Sequence, residues 1–233
     1  MSFLDAYKKA VVGLDWVANR VYVRKFEVVG KENIPPEGPL ILASNHLNNA
    51  DPPMIVLAIR PRYPTFMAKQ EMIDWPVLGF ALKHFGAFPV RRGEADRAAL
   101  RAASDVIESG GMLVMFPEGT RSRTGGMTQG HPGSGLIALR SGAPVLPVAI
   151  TGSEGIGWPW IFLKPFSVKH IKVTIGEPFQ LPPVERINSE ATAQATDIIM
   201  RRIAALLPPK YRGVYADTEV EREAAPAEAK GVY

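Results

Sequence analysis

The chain has 233 residues, 46% of them hydrophobic, no cysteine and a formal net charge of +4. This length and apolar content exclude wholesale disorder and fit one α/β domain with appendages. The lack of cysteine excludes a disulfide framework, a thiol nucleophile and a thiolate metal site.

In chain order, Leu4, Tyr7, Val11, Leu14, Ala18 and Val21 alternate steps of three and four, which predicts an amphipathic helix over residues 3–22. No apolar run reaches the ~18 to 20 residues needed to cross a bilayer, and no signal-peptide pattern is present. The expectation is a cytoplasmic protein or one attached to a membrane from that side. A strand is predicted around Phe26–Val29, and the turn-rich segment 30–38 leads to a buried strand at Leu40–Ala43. Next comes the polar stretch Ser44-Asn45-His46-Leu47-Asn48-Asn49-Ala50-Asp51-Pro52 and an apolar helix to about Arg60. Asp51 reads as the helix N-cap, with Pro52 at the first helical position, where its missing N–H costs nothing.

His46 therefore sits on a strand-to-helix turn. Five positions on, Asp51 can bend back to hydrogen-bond one ring nitrogen and leave the other free to take a proton, the arrangement of a general base. A lone His near a carboxylate is more often structural, so this stretch does not decide function by itself.

Thr65–Ala68 reads as a strand, Trp75–Lys83 as an apolar helix, and Phe85–Val90 as a strand running into the adjacent Arg91 and Arg92. The helix over Ala95–Ser109 stops at Gly110-Gly111, and the apolar strand Met112–Phe116 delivers Pro117-Glu118-Gly119-Thr120-Arg121-Ser122. An acid, a glycine and an arginine so close together after a strand suit anion binding: glycine admits close backbone approach and arginine offers a bidentate fork. Residues 124–133 are glycine-rich without P-loop order and read as a surface excursion. A helix at Ser134–Arg140, strands at Val145–Ile150 and Val168–Ile175, and a helix at Ser189–Leu207 complete the core. The apolar, aromatic segment Ile156–Leu163 reads as a core flap, a lipid-contacting loop or a lid, and the sequence does not choose among these. No internal repeat occurs. The four histidines (46, 84, 131 and 170) lack HExxH spacing, so a metal site is not expected.

Strands alternating with helices predict a single α/β domain with a mixed, mostly parallel sheet flanked by helices, preceded by the amphipathic helix. Three polar blocks, at His46, at Arg91-Arg92 and at Glu118–Arg121, each follow an apolar strand and can share one rim. Charge divides along the chain: from Tyr215 onward five carboxylates against two basic residues give −3, leaving +7 on the body. A basic body suits a phosphate-bearing partner. An anionic membrane fits better than nucleic acid, because no basic stripe interleaved with aromatics is present.

Asn45-His46 with Asp51, Gly86–Arg92, Phe116–Ser122 and Val145–Val148 resemble, in order and separation, the four blocks of the glycerophospholipid acyltransferase family, typified by 1-acyl-sn-glycerol-3-phosphate acyltransferases. The likeness covers roughly residues 35–175, and its first and third blocks are specific in combination. The resemblance implies transfer of a fatty acyl group from acyl-CoA or acyl carrier protein to a hydroxyl of lysophosphatidic acid. It implies His46 as base, Asp51 as its orienting partner, and Arg92, Glu118, Gly119, Thr120 and Arg121 at acceptor-binding positions. No metal or bound cofactor is implied, because the thioester donor arrives already activated. With the amphipathic N-terminus and the charged, alanine-rich C-terminus read from the residues, the expected domain plan is a membrane-associating helix at 1–25, a catalytic domain at 26–212 and a disordered acidic tail at 213–233, peripheral on the cytoplasmic side. The chain departs from the family in having Asn48 where serine is common and Arg91 where an acidic or small residue is common. A lysine often found after the third block is missing, with His131 nearby. A serine hydrolase lacks its GxSxG elbow here, and a non-catalytic lipid-binding protein would not need the full His, Asp, Glu and Arg set.

Overall fold

The computed structural model describes residues 7–9, 12–13, 25–84, 86–90, 96–155 and 170–217. Seven strands make one sheet: β1 (Phe26–Val29), β2 (Leu40–Ser44), β3 (Thr65–Lys69), β4 (Ala87–Val90), β5 (Met112–Met115), β6 (Val145–Thr151) and β7 (Ile171–Ile175). Their spatial order is β1-β7-β6-β2-β5-β3-β4. β6, β2, β5, β3 and β4 run parallel; β7 pairs antiparallel with β6 and carries β1 parallel to itself. The sheet is thus mixed and mostly parallel, as expected for strands joined by helical crossovers.

Both faces of the sheet are covered, which is why β2 and β5 are apolar without alternation. Leu40, Leu42, Val114, Leu146 and Val148 face α1 (Asp51–Ala58) in one core layer. Ile41, Ala43, Leu113, Met115 and Val145 face the opposite layer. That layer contains α4 (Arg97–Glu108), α5 (Pro132–Ser141) and α6 (Ser189–Leu206). Asp96 caps α4 by accepting from the Ala99 N–H at 3.0 Å, and Asn188 caps α6 through Ala191 at 2.8 Å. The helix expected at Trp75–Lys83 is α3 (Pro76–His84), and a short helix that was not expected, α2 (Gln70–Ile73), precedes it. Gly79 permits their close approach, since a Cβ there would lie 1.9 Å from the Ile73 carbonyl oxygen.

Three sequence expectations shift. Asp51 is the first residue of α1 and not its cap; Ala50 takes the cap position without a side-chain bond. The carboxylate is engaged elsewhere, as described below. Residues 124–133 are not a surface excursion: Met127 is buried, its N–H donates to Tyr211 O at 2.9 Å, and its carbonyl accepts from Val214 at 3.1 Å. The ordered chain also runs past residue 212, because Gly213–Tyr215 forms a 3-10 turn with Tyr215 buried. Of the N-terminal segment, residues 7–9 and 12–13 are helical; Tyr7 is buried in the core, and its hydroxyl donates to Pro64 O at 3.2 Å. The remainder of that predicted helix, Arg91-Arg92, the segment 156–163 and the tail from residue 218 lie outside the described residues.

Because β2, β5, β3 and β4 are parallel neighbours, their carboxyl ends share one edge of the sheet. Chain segments leaving β2 and β5 are about one strand spacing, ~4.8 Å, apart. That adjacency builds the site.

Candidate active site

His46 lies two residues past β2, and its backbone is fixed before its ring is considered. Asn45 extends the β2–β6 pairing with its side chain: Nδ2 donates to Ile150 O at 2.9 Å and Oδ1 accepts from Ile150 N–H at 2.8 Å. The His46 N–H then donates to Glu118 Oε1 at 3.0 Å, and the His46 carbonyl accepts from the Ser122 N–H at 2.8 Å. The segment after β5 therefore grips both polar groups of the His46 backbone. The imidazole stacks on Phe116, with centroids 4.1 Å apart and planes 24° apart. Only 8% of the residue is exposed.

Asp51 completes the placement. One oxygen, Oδ2, accepts from three groups: His46 Nδ1 at 2.8 Å, Leu47 N–H at 2.6 Å and Asn48 N–H at 2.7 Å. An ionised carboxylate only accepts, so the proton in the first contact belongs to Nδ1. The outer nitrogen, Nε2, is then the basic one, and it has no partner among the described residues. The turn folds this way because Asp51 satisfies two backbone donors that would otherwise be buried without acceptors. Asn48 closes the turn with its own Oδ1, which accepts from Ala50 N–H at 3.2 Å.

Glu118 is buried, with 1% exposed. Besides His46, it holds the Thr128 N–H at 2.8 Å and the Thr128 hydroxyl at 2.9 Å, both on Oε2. Burial pushes its carboxyl above the usual range, while the hydrogen bonds from Thr128 and His46 pull the other way. Gly119 adopts φ +64°, and a Cβ there would fall 2.6 Å from His131 Cδ2, so the ring of His131 occupies the space that glycine leaves. Thr120 and Arg121 are exposed. Arg121 precedes the residue whose N–H holds His46, and it makes no ion pair or hydrogen bond among the described residues.

The structure thus brings His46, Asp51, Glu118, Gly119, Thr120 and Arg121 to one place. It describes β4 up to Val90 on the same edge, and Arg92 lies outside the described residues. Sequence reasoning missed the roles of Asn45, Phe116 and Thr128. The first two were visible as motif residues without a stated task. Thr128 lies ten residues from Glu118 in a glycine-rich loop, and no periodicity points to it.

A family model described as Acyltransferase matches residues 25–151, just over half of the chain. The chain belongs to this acyltransferase family. A Bacillus subtilis 1-acyl-sn-glycerol-3-phosphate acyltransferase is 28% identical over 184 residues, covering 77% of this chain and 87% of that one. A chloroplastic 1-acyl-sn-glycerol-3-phosphate acyltransferase of Brassica napus is 30% identical over 153 residues, 60% of this chain and 44% of its own length. This acyltransferase therefore spans less than half of that plant relative. A lyso-ornithine lipid O-acyltransferase of Pseudomonas aeruginosa is 31% identical over 137 residues, 58% of this chain and 52% of that one. Among solved structures, the 1-acyl-sn-glycerophosphate acyltransferase PlsC of Thermotoga maritima superposes with a TM-score of 0.63 at 26% identity. That match covers 84% of this chain and 76% of that chain.

The geometry around Asp51 makes a prediction. Its second oxygen, Oδ1, is buried without a partner among the described residues. In Asp51→Asn the amide oxygen can take over the three donors, which leaves the NH₂ in the position that offers no acceptor. We expect about 1–3 kcal/mol lower stability in chemical denaturation, together with reduced turnover, because the imidazolium loses its counter-charge. A variant as stable as the parent would show that the Oδ1 position does hold an acceptor.

Proposed function

We propose that this acyltransferase moves a fatty acyl group from acyl-CoA or acyl carrier protein to the free hydroxyl of lysophosphatidic acid or a related lysophospholipid, giving phosphatidic acid in the first case. The observation that carries the reading is the buried His46–Asp51 pair at 2.8 Å, which leaves Nε2 without a partner among the described residues. Nε2 takes the acceptor hydroxyl's proton as the oxygen attacks the thioester carbonyl. A C–O bond forms, the C–S bond breaks as the tetrahedral intermediate collapses, and His46 returns the proton to the leaving thiolate. Asp51 keeps the reactive tautomer and stabilises the imidazolium. Arg121, with Arg92 and the Gly119-Thr120 backbone, holds the glycerol phosphate. The reaction needs no bound cofactor, because the donor is already activated.

The relatives named for lysophosphatidate and for lyso-ornithine lipid match at similar identity. Acceptor choice therefore falls to the rim, where Asn48 and His131 differ from the family's common residues. A panel of lysolipid acceptors with both thioester donors separates these acceptors. Thiol release that requires a hydroxylated acceptor supports transfer, and release without one supports hydrolysis.

We further propose that the protein works at an anionic membrane surface, peripherally and from the cytoplasmic side. The basic body supports this reading. Among the described residues no helix is long and apolar enough to cross a bilayer. The N-terminal segment is the proposed contact, but Tyr7 is spent on the body, packed 5.2 Å from the Tyr63 ring, so the lipid-facing surface would come from its other residues.

Three outcomes follow. His46→Ala should lower turnover on the order of a hundred- to ten-thousand-fold while the protein stays folded; near-normal turnover would end the mechanism. Arg121→Lys should raise the KM for a phosphate-bearing acceptor, because lysine supplies a point charge in place of a planar fork. An equal loss with an uncharged lyso-acceptor would remove the phosphate role. Deleting residues 1–25 should reduce co-sedimentation with anionic vesicles, and through loss of Tyr7 should also lower the melting temperature. Full vesicle binding by the truncated protein would place the membrane contact elsewhere.

A further inference from the structure

We infer that Glu118 is a positioning residue that sets the reach of His46 and does not itself hold the acceptor. Three donors converge on its carboxylate: the His46 N–H on Oε1, and the N–H and hydroxyl of Thr128 on Oε2. With 1% of the residue exposed, the carboxylate presents no surface to a lipid headgroup. A negative charge facing the rim would also repel the phosphate that Arg121 is placed to receive. A buried carboxylate is costly unless it is hydrogen-bonded. Here its partners are the backbone of the base and the loop that follows Arg121.

The consequence is mechanical. Glu118 holds the His46 N–H, and Ser122, four residues later, holds the His46 carbonyl. Thr128 anchors the far end of the same loop to the same carboxylate. The base and the arginine therefore move as one body, and the distance between the proton acceptor and the phosphate site is fixed through Glu118. A displacement near 1 Å at a reacting group can cost on the order of a hundredfold in rate.

This inference rests on His46 being the base, and the test keeps the two separable. In Glu118→Gln the amide must turn its NH₂ toward either the His46 or the Thr128 N–H, so one end of the clamp opens. Steady-state kinetics with lysophosphatidic acid should show kcat down on the order of ten- to a hundredfold and acceptor KM nearly unchanged. In a His46→Ala background the same substitution should barely change the residual rate, because a residue acting through His46 has nothing left to act on. A raised acceptor KM with kcat retained, or an undiminished effect in the His46→Ala background, would return Glu118 to the acceptor site and overturn the inference. Near-normal turnover in His46→Ala alone would instead sink the base reading. If Glu118→Gln does not fold, Thr128→Val serves: it removes one donor and keeps the charge. A smaller drop in kcat at constant acceptor KM supports the clamp, while an unchanged kcat or a raised KM rejects it.

Discussion

One oxygen atom, Asp51 Oδ2, organises the site. It accepts from the imidazole and from two consecutive backbone N–H groups, so the fold of the turn and the tautomer of the His46 ring are the same event. Few other residue types could do this: a shorter side chain would not reach, and an amide would bring a donor into a place that offers no acceptor. The turn's own stability thus selects the residue that the proposed chemistry uses, which also explains why Asp51 is not free to cap α1.

A second constraint acts at longer range. β2 and β5 are parallel neighbours, with Ala43 beside Met115, so the residues following each strand leave the sheet side by side. That proximity lets Glu118 and Ser122 take the two backbone groups of His46 and lets Phe116 stack on its ring. A parallel sheet brings distant sequence blocks to one edge without spending loop residues on the approach. It also ties His46 into the fold on three sides: to β6 through Asn45, to the segment after β5 through Glu118 and to α1 through Asp51.

What the sequence made legible follows from the range of the interactions involved. The His46–Asp51 contact is local, confined to one turn, and its five-residue spacing is readable. The α/β alternation and the strands Leu40–Ala43 and Met112–Met115 are readable because burial on two faces leaves uninterrupted apolar runs. Glu118 is legible as a motif residue, but the positioning task proposed for it is not. That task depends on a contact across 72 residues and on another with Thr128, in a loop whose glycines resemble those of an exposed excursion. Tyr7 shows the same limit. Its place on an amphipathic stripe is visible, but a periodic pattern does not say whether the stripe meets lipid or protein. Met127 and Tyr215 extend the ordered body past its expected boundary because each covers the other's segment, a mutual burial with no local signature.

The rim divides its charges by depth. The two carboxylates nearest His46 are both buried, and both are consumed by protein donors. Arg121, by contrast, is exposed. The anionic acceptor proposed for this site would gain from this arrangement twice. The buried carboxylates reach the base through directed hydrogen bonds, while the charge presented to solvent is positive. An ion pair between Arg121 and either carboxylate would be short and local, and it would compete with the incoming phosphate for the same fork. Glu118, turned inward toward His46 and Thr128, is not such a competitor, so under the proposed roles the arginine stays available to the acceptor and the acid serves as scaffold.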